Sequence, residues 1–590
     1  MKFAVVSDHQ YSQFIAWLLL GLMLSTSPLY AEEDLTVTVI VEGLEGELLT
    51  NALAFMDINE FNGKPAPVES RVRWLHQRAP DEIRQALQPF GYYQPAIEDS
   101  LELEDSEWVA RYRVKQGPPL LIDNVDVQVL GEGADDLAYQ RRLNKLPFVK
   151  DQILIQPRYE AFKQDLQWVA TERGYFDAKM AVSEIRVRLE DNKADIKLHF
   201  DTGKRYQFGQ VHFPDDAFAP EFLRRYLDFQ PGDPYNAARL LDLQSDLVSS
   251  DYFDQVEVDA PLENAEDYTV PIDVQLIPRK ARKYSFGLGY GTDTGVRGKA
   301  GVDGRHFNRW GHHYRAELVA SQIRYSLGGE YIIPGADPRT DQYSFRASLA
   351  AEDSDTKDTQ TARIGVSKKK QYETWLSILS LEYLWEQFSF DGSDEETTAL
   401  LMPSINLSRV SAQDRLFVKR GNRLGLLLRG SYEQLLSDIS FVQGALQTKW
   451  IWPIGEKGRL VTRADLGSTW ASDFDRLPAT LRFYAGGDNS VRGYSLDSIG
   501  PRDDDDNVVG GKHLLVGSLE YQYYFLDKWG IAAFVDTGDA FDTETPEFKT
   551  GVGLGLRWLS PVGPIRVDLA SGLDEPGDTV RLHLNIGPDL

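Results

Sequence analysis

Few residues in this chain are placed to do chemistry, and spacing decides what each group can do. His312-His313 falls at a strand start, where adjacent side chains point to opposite faces, so the pair cannot share a metal ion. Asp503-Asp504-Asp505-Asp506 could attract divalent cations, but calcium sites take spaced ligands from a shaped loop, and an acidic block reads as a solvated loop tip. Gly287-Leu288-Gly289-Tyr290-Gly291 and Gly551-Val552-Gly553-Leu554-Gly555 mimic phosphate loops. Both lie inside alternating runs, where glycine permits curvature and close backbone approach. Lys368-Lys369-Lys370 could lie near anionic headgroups or simply be solvated. There is no Gly-x-Ser-x-Gly elbow, no His-Glu-x-x-His pair and no Walker loop. The chain has no cysteine, so disulfides and thiolate metal sites are unavailable. The expectation is a protein that is not an enzyme, with no cofactor and no metal. What remains is Arg492, inside the longest loop (473–511), in Gly486-Gly487-Asp488-Asn489-Ser490-Val491-Arg492-Gly493-Tyr494. That loop has the composition of a buried segment rather than a polar linker, and long loops of this kind are usually functional.

The elements that must position this loop are strands. From Lys283 onward the chain reads as sixteen segments of about ten residues or more, alternating in character and separated by turn residues. The twelfth sets Leu515, Gly517, Leu519, Tyr521, Tyr523 and Phe525 against Val516, Ser518, Glu520, Gln522 and Tyr524. The thirteenth sets Ile531, Ala533 and Val535 against the face holding Asp536. The fifteenth sets Ile565, Val567 and Leu569 against Arg566, Asp568 and Ala570, and the last sets Val580, Leu582, Leu584 and Ile586 against Arg581, His583, Asn585 and Gly587. Apolar outside and polar inside fits lipid around a water-filled lumen, whereas a soluble sandwich would bury its apolar faces together. Closure requires strand one (284–290) to meet strand sixteen (580–586). Gly287 and Gly289 beside Phe286 weaken the first, and Gly587-Pro588 stops the last after Leu584 and Ile586, so a short, poorly bonded lateral seam is expected.

Ahead of the barrel, residues 1–31 read as a signal peptide. Lys2 precedes an apolar run from Phe14 to Leu24, too short to span a bilayer of roughly 30 Å, and cleavage is expected after Ala31. A helical stretch, an aromatic turn and a strand then recur. The turns Gly91-Tyr92-Tyr93, Gly174-Tyr175-Phe176 and Asp251-Tyr252-Phe253 are separated by 83 and 77 residues. Near-constant spacing favours three small α+β units over one larger domain. Asp251 replaces the glycine of the first two copies, and aspartate also tolerates the left-handed conformation. The formal charge of −27 argues against nucleic-acid binding.

The Gly-aromatic turns resemble those of POTRA (polypeptide-transport-associated) domains. Val491-Arg492-Gly493-Tyr494 resembles the VRG(F/Y) motif of loop six in the BamA/TamA/FhaC superfamily of POTRA-barrel proteins. The resemblance implies that loop six folds back into the lumen and that Arg492 meets acidic groups on strands twelve and thirteen, here Glu520 and Asp536. Trp558-Leu-Ser560-Pro561-Val-Gly-Pro564 resembles the family's tight turn between strands fourteen and fifteen. Three repeats and the ending Asn585-Ile-Gly587-Pro588-Asp589-Leu590 are similar to the TamA branch, the translocation and assembly module. BamA-like members typically carry five repeats, and two-partner secretion transporters carry two.

The expected architecture is therefore a membrane β-barrel: a 16-stranded antiparallel transmembrane barrel preceded by three small α+β POTRA domains. The expected divisions are 1–31 signal peptide, 32–118, 119–203 and 204–280 for the repeats, and 281–590 for the barrel. The implied location is the bacterial outer membrane, with the repeats in the periplasm and outer-membrane lipid around the barrel. The implied function is insertion or translocation of autotransporters and other outer-membrane clients, with a TamB-like, inner-membrane-anchored, periplasm-spanning partner on the repeats. The alternatives are a BamA-like insertase, a two-partner secretion transporter, or a passive porin.

Overall fold

A computed structural model describes residues 35–291, 294–354, 356–390, 394–412, 417–543, 545–560, 563–574 and 580–586. The expected signal peptide and seam residue Gly587 lie outside the described residues. The chain divides into two compact units, one holding the first two repeats and the other holding the body of the third repeat together with the barrel. No helix among the described residues is long and apolar enough to cross a membrane.

Each repeat packs helix on sheet because its helix carries an apolar stripe. In the first, helix Glu69–Leu87 buries Val72, Leu75, Ala79, Ile83 and Ala86. They pack with Val37, Ala110 and Tyr112 of a four-stranded sheet. The second buries Tyr159, Phe162, Leu166 and Val169 of helix Gln156–Arg173, and the third buries Leu240, Leu243 and Leu247 of helix Ala237–Ser249, each beside a three-stranded sheet. The three helices end alike. Gly91, Gly174 and Asp251 have φ of 87°, 82° and 63°, the left-handed conformation that terminates a helix. Aspartate in the third copy does more than make the turn, because its carboxylate accepts from Arg279 and, at 2.9 Å, from Arg305 at the barrel's base. Tyr252 next to it donates to the Gly311 carbonyl at 2.6 Å.

The barrel strands are β1 (Arg282–Gly291), β2 (Gly295–Gly304), β3 (His313–Ser321), β4 (Arg324–Pro334), β5 (Asp341–Asp353), β6 (Asp358–Tyr372), β7 (Trp375–Ser389) and β8 (Glu396–Ala412). There follow β9 (Gly421–Ser431), β10 (Phe441–Ile454), β11 (Gly458–Ala471), β12 (His513–Tyr524), β13 (Trp529–Phe541), β14 (Lys549–Ser560), β15 (Gly563–Gly572) and β16 (Arg581–Ile586). They form one sheet in sequence order. Alternation sets the faces: on β12, Leu519, Tyr521 and Tyr523 are exposed outward, while Val516, Glu520, Gln522 and Tyr524 are buried within. Among the described residues no ladder joins β16 to β1. Among the described residues β16 is the shortest barrel strand, at six residues, and Phe286 and Leu288 of β1 are 84% and 93% exposed. Gly287 and Gly289 pair with Lys299 and Arg297 of β2, while Leu584 and Ile586 pair with Val567 and Ile565 of β15.

The first repeat contains a buried histidine whose charge state bears on its stability. His76 Nδ1 accepts from the Tyr112 hydroxyl at 2.8 Å, and Nε2 faces the Asp99 carboxylate at 2.9 Å. Burial pushes the His76 pKa below its ordinary value, and the Asp99 charge opposes this only in part. A group with a depressed folded pKa contributes stability above its unfolded pKa, and that contribution is lost as pH falls through the folded value. Hydrogen exchange in helix Glu69–Leu87, corrected for intrinsic rates, should therefore quicken on acidification from about pH 7.5 to about pH 5.5, below the ordinary histidine pKa of about 6.5. The acceleration should vanish in His76→Gln. Protection that is flat across that window would refute the assignment.

Candidate functional site: the loop-six lock

Loop six (472–512) leaves β11 and returns to β12 as two legs. Phe483 bridges Gly511, Ala485 bridges Ile499, and Arg502 bridges Val508. Below them, Gly486 and Gly487 take φ of 102° and 94°, and the Gly487 amide donates to the Tyr494 carbonyl at 3.2 Å. This closes a tight loop that presents Arg492 to the wall.

Arg492 is 7% exposed and fully engaged. Its Nε and Nη2 donate to the two oxygens of Asp536 at 2.6 and 2.9 Å, and its own amide also donates to Asp536 at 3.2 Å. Nη1 is shared between Glu520 at 2.8 Å and Asp568 at 2.9 Å. The guanidinium lies over the Phe534 ring at 3.4 Å. The structure thus brings together Arg492, Glu520 and Asp536 as a set.

It also corrects the number of partners. The sequence leads one to expect two carboxylates, whereas three surround the arginine, and a second arginine, Arg557 of β14, joins them. Arg557 donates to Glu520 at 2.7 Å and to Asp568 at 2.5 Å. The reason is charge balance: a third buried carboxylate on one guanidinium would be under-compensated, and a second planar fork supplies the missing donors. Alternation places Asp568 on the polar face of its strand. Only the register across β12 to β15 shows that it converges with Glu520.

The remaining motif residues are seated by packing. Val491 is buried with Ala485, Ile499 and Val516. The Tyr494 hydroxyl donates to the Thr550 carbonyl at 3.3 Å and accepts from the Asp574 amide at 3.3 Å. Gly493 has φ of 97°, and a Cβ there would lie 2.7 Å from the Ser571–Gly572 backbone. The glycines of β14 form the floor beneath the loop. A Cβ on Gly551 would stand 1.8 Å from the Arg492 carbonyl oxygen, and one on Gly553 would stand 2.3 Å from the Phe534 ring.

Loop six also holds the seam strand. The Gly493 amide donates to His583 Nε2 at 3.0 Å, which leaves Nδ1–H to donate to Asp488 at 2.5 Å. Arg581 donates to Ser495 at 2.6 Å, and Asn585 donates to Asn489 at 3.2 Å. All three inward side chains of β16 are thus bonded to the loop. Higher up, Arg482 bonds the carbonyls of Asp475, Leu477 and Val509, tying the legs together. Sequence reasoning misses His583, Asp488 and Arg482; inward parity on the last strand is the available signal for the histidine.

Among the described residues no His, Cys, Asp or Glu cluster is arranged for a metal. Asp503 is occupied by the amides of Asp505 and Asn507 at 3.1 and 2.8 Å. His312 bonds the Tyr331 hydroxyl, whereas His313 turns to Tyr252 and Gly311.

Fold and site together define a class: an outer-membrane barrel plugged from within by an arginine-locked loop and preceded by periplasmic α+β repeats. Residues 307–589 match the Omp85 superfamily domain, residues 38–116 match POTRA domain TamA domain 1, and residues 206–278 match the surface antigen variable number repeat, a POTRA model. The chain belongs to the Omp85 superfamily of POTRA-bearing barrels, residing in the bacterial outer membrane with its POTRA domains in the periplasm. It is 25% identical over 380 residues to the outer membrane protein assembly factor BamA of Nitratidesulfovibrio vulgaris, covering 60% of this chain and 47% of that one. It is 24% identical over 491 residues to the BamA of Neisseria meningitidis serogroup B, covering 70% of this chain and 60% of that one. The chain thus spans between about half and three fifths of the length of these curated relatives. Its fold is similar to the crystal structure of BamA from Haemophilus ducreyi lacking POTRA domains 1–3, with a TM-score of 0.67, 19% identity, and coverage of 79% of this chain and 98% of that one.

The lock makes unequal demands on its members. Arg492→Ala leaves Asp536 without its arginine and Glu520 and Asp568 on Arg557 alone, and should lower barrel stability by about 3–5 kcal/mol. Asp536→Ala should cost less, because Glu520 and Asp568 still hold the guanidinium. Arg492→Lys should not rescue, since an ammonium has no fork. Gly551→Ala, which removes no charge, should unseat the loop as fully as Arg492→Ala. Thermal unfolding followed by heat-modifiable gel mobility checks all four, and a Gly551→Ala barrel as stable as the wild type would overturn the packing argument.

Proposed function

We propose that this protein is the outer-membrane subunit of a translocation and assembly module, inserting or translocating autotransporters and other outer-membrane proteins through its lateral seam. The observation that carries this reading is the pair of unjoined edges. β1 and β16 each present a backbone edge without a ladder partner among the described residues, and an open edge is a template for an incoming strand by β-augmentation. The plugged lumen favours assembly over passive diffusion. No step requires covalent catalysis, nucleotide or cofactor: binding energy is exchanged strand for strand. The TamA assignment, rather than a BamA-like insertase, is supported by the match of the first repeat to a TamA-type POTRA model.

A cysteine pair placed across β1 and β16 should abolish client assembly when oxidised and restore it on reduction. Full activity in the crosslinked state would sink the seam mechanism. The module assignment has its own test. The TamB-like partner should dock on the first repeat (32–118), so deleting that repeat should leave a heat-modifiable barrel but release the partner in pull-downs from membranes. Retention of the partner would place its docking site elsewhere.

A further inference from the structure

The outer wall of the barrel carries a group of cations that neither the lock nor the seam uses. Parity separates Lys368 and Lys370 from Lys369. Ile364 and Val366 of β6 are exposed to lipid, so Lys368 and Lys370 share their face while Lys369 points inward. On β8, Leu400 and Met402 are buried within, which turns Arg409 outward, in register with Trp375 of β7. By the same parity every other Lys or Arg on the described barrel strands points into the lumen, except Arg282 at the foot of β1. Charge on the lipid face is costly unless it is answered, and here three cations gather on neighbouring strands.

All three stand at the periplasmic end. The third repeat meets the turn between β2 and β3, where Tyr252 bonds Gly311, so turns that follow even-numbered strands face the periplasm. Lys368 and Lys370 lie toward the end of β6, and Arg409 lies toward the end of β8. Each cation lies over a ring: Lys368 is 5.3 Å from Tyr343, Lys370 is 5.1 Å from Tyr372, and Arg409 is 5.9 Å from Trp375. Tyr and Trp in this setting mark the interface of a bilayer. One carboxylate shares the patch: Asp341 lies 3.7 Å from Lys370. Among the described residues Glu373, in the turn after β6, pairs with none of the three, and neither Lys368 nor Arg409 has an ion pair. The Arg409 Nε is shut off from solvent without a hydrogen-bond acceptor.

We propose that this patch binds the headgroup of an anionic phospholipid of the periplasmic leaflet, with the phosphate held between Lys370 and Arg409. On the intervening strand β7, Ser377 is in register with Lys370 and Trp375 with Arg409, so a small side chain leaves a seat beside the tryptophan. The Lys370 and Arg409 backbones stand two strands and two residues apart, about 12 Å at the usual spacings. Two long side chains close that gap on one phosphate. The guanidinium fork suits phosphate oxygens, and the ammonium adds a point charge. Three cations against Asp341 leave a positive surplus, which selects anionic over zwitterionic lipid. Leu379 and Leu381 are exposed along β7 above the seat and give acyl chains an apolar wall, which favours a lipid over free phosphate. The site depends on the barrel's place in the outer membrane and not on client assembly.

The test titrates delipidated full-length protein in non-ionic detergent with phosphatidylglycerol or phosphatidylcholine and follows bound lipid by native mass spectrometry. Phosphatidylglycerol should be retained as a tight adduct, and phosphatidylcholine should bind more weakly. Lys368→Gln/Lys370→Gln/Arg409→Gln should weaken phosphatidylglycerol binding about tenfold or more, while the barrel stays heat-modifiable. Arg282→Gln, which removes the remaining lipid-facing cation of the described strands, should leave the adduct unchanged. Equal retention of the two lipids, no loss in the triple variant, or an equal loss in Arg282→Gln would each overturn the proposal. Displacement of the lipid by inorganic phosphate at comparable concentration would show a free-phosphate site and would equally overturn it. Should the triple variant fail to fold, Lys370→Gln alone must weaken the adduct, and Lys370→Arg must retain it.

Discussion

A guanidinium withdrawn from water must recover its hydrogen bonds from fixed acceptors, and most features of the second half of this chain are arranged around that demand at Arg492. The acceptors come from three strands, β12, β13 and β15, and a balancing arginine comes from a fourth. They converge only in one register. A slip of one residue would send Glu520, Asp536 or Asp568 to the lipid face, where a carboxylate is costly. Barrel register and plug position are therefore one constraint. The glycines of β14 belong to it as well: their missing side chains let the Arg492 backbone and the Phe534 ring approach closely enough for the fork to reach its carboxylates.

The strands, their faces and the three-repeat pattern were legible in the sequence because alternation with a period of two and recurrence of a turn are local signals. Asp251 shows how far such signals go. Its tolerance for the left-handed turn could be read from residue type, and its φ of 63° agrees. Its reach to Arg279 and Arg305 could not, because that depends on how the third repeat meets the barrel base. Arg557 and Asp568 fall in the same category. Parity gives the face of a residue but not its height on the barrel wall, and height is set by the register of four strands. The glycines of β14 read as easing curvature and close approach, while the group that does the approaching, the Arg492 carbonyl, comes from a loop whose path no periodicity encodes.

The edge strand β16 combines two opposed features. Its outer backbone edge lacks a ladder partner among the described residues, and an open edge invites aggregation unless it is covered. Its inward side chains Arg581, His583 and Asn585 are all bonded to loop six. β16 is thus held by its six-residue ladder to β15 and by the loop, and among the described residues by no ladder along the seam. His583 makes the second attachment conditional on geometry. Its Nε2 can accept from the Gly493 amide only while Arg492, the preceding residue in the chain, is seated on Asp536. Displacing the loop would break the lock and at the same stroke remove three side-chain anchors from β16, leaving that strand on its short ladder alone. The position of the seam strand and the occupancy of the lumen are therefore linked through one peptide unit, Arg492–Gly493, whose two ends bond opposite sides of that coupling.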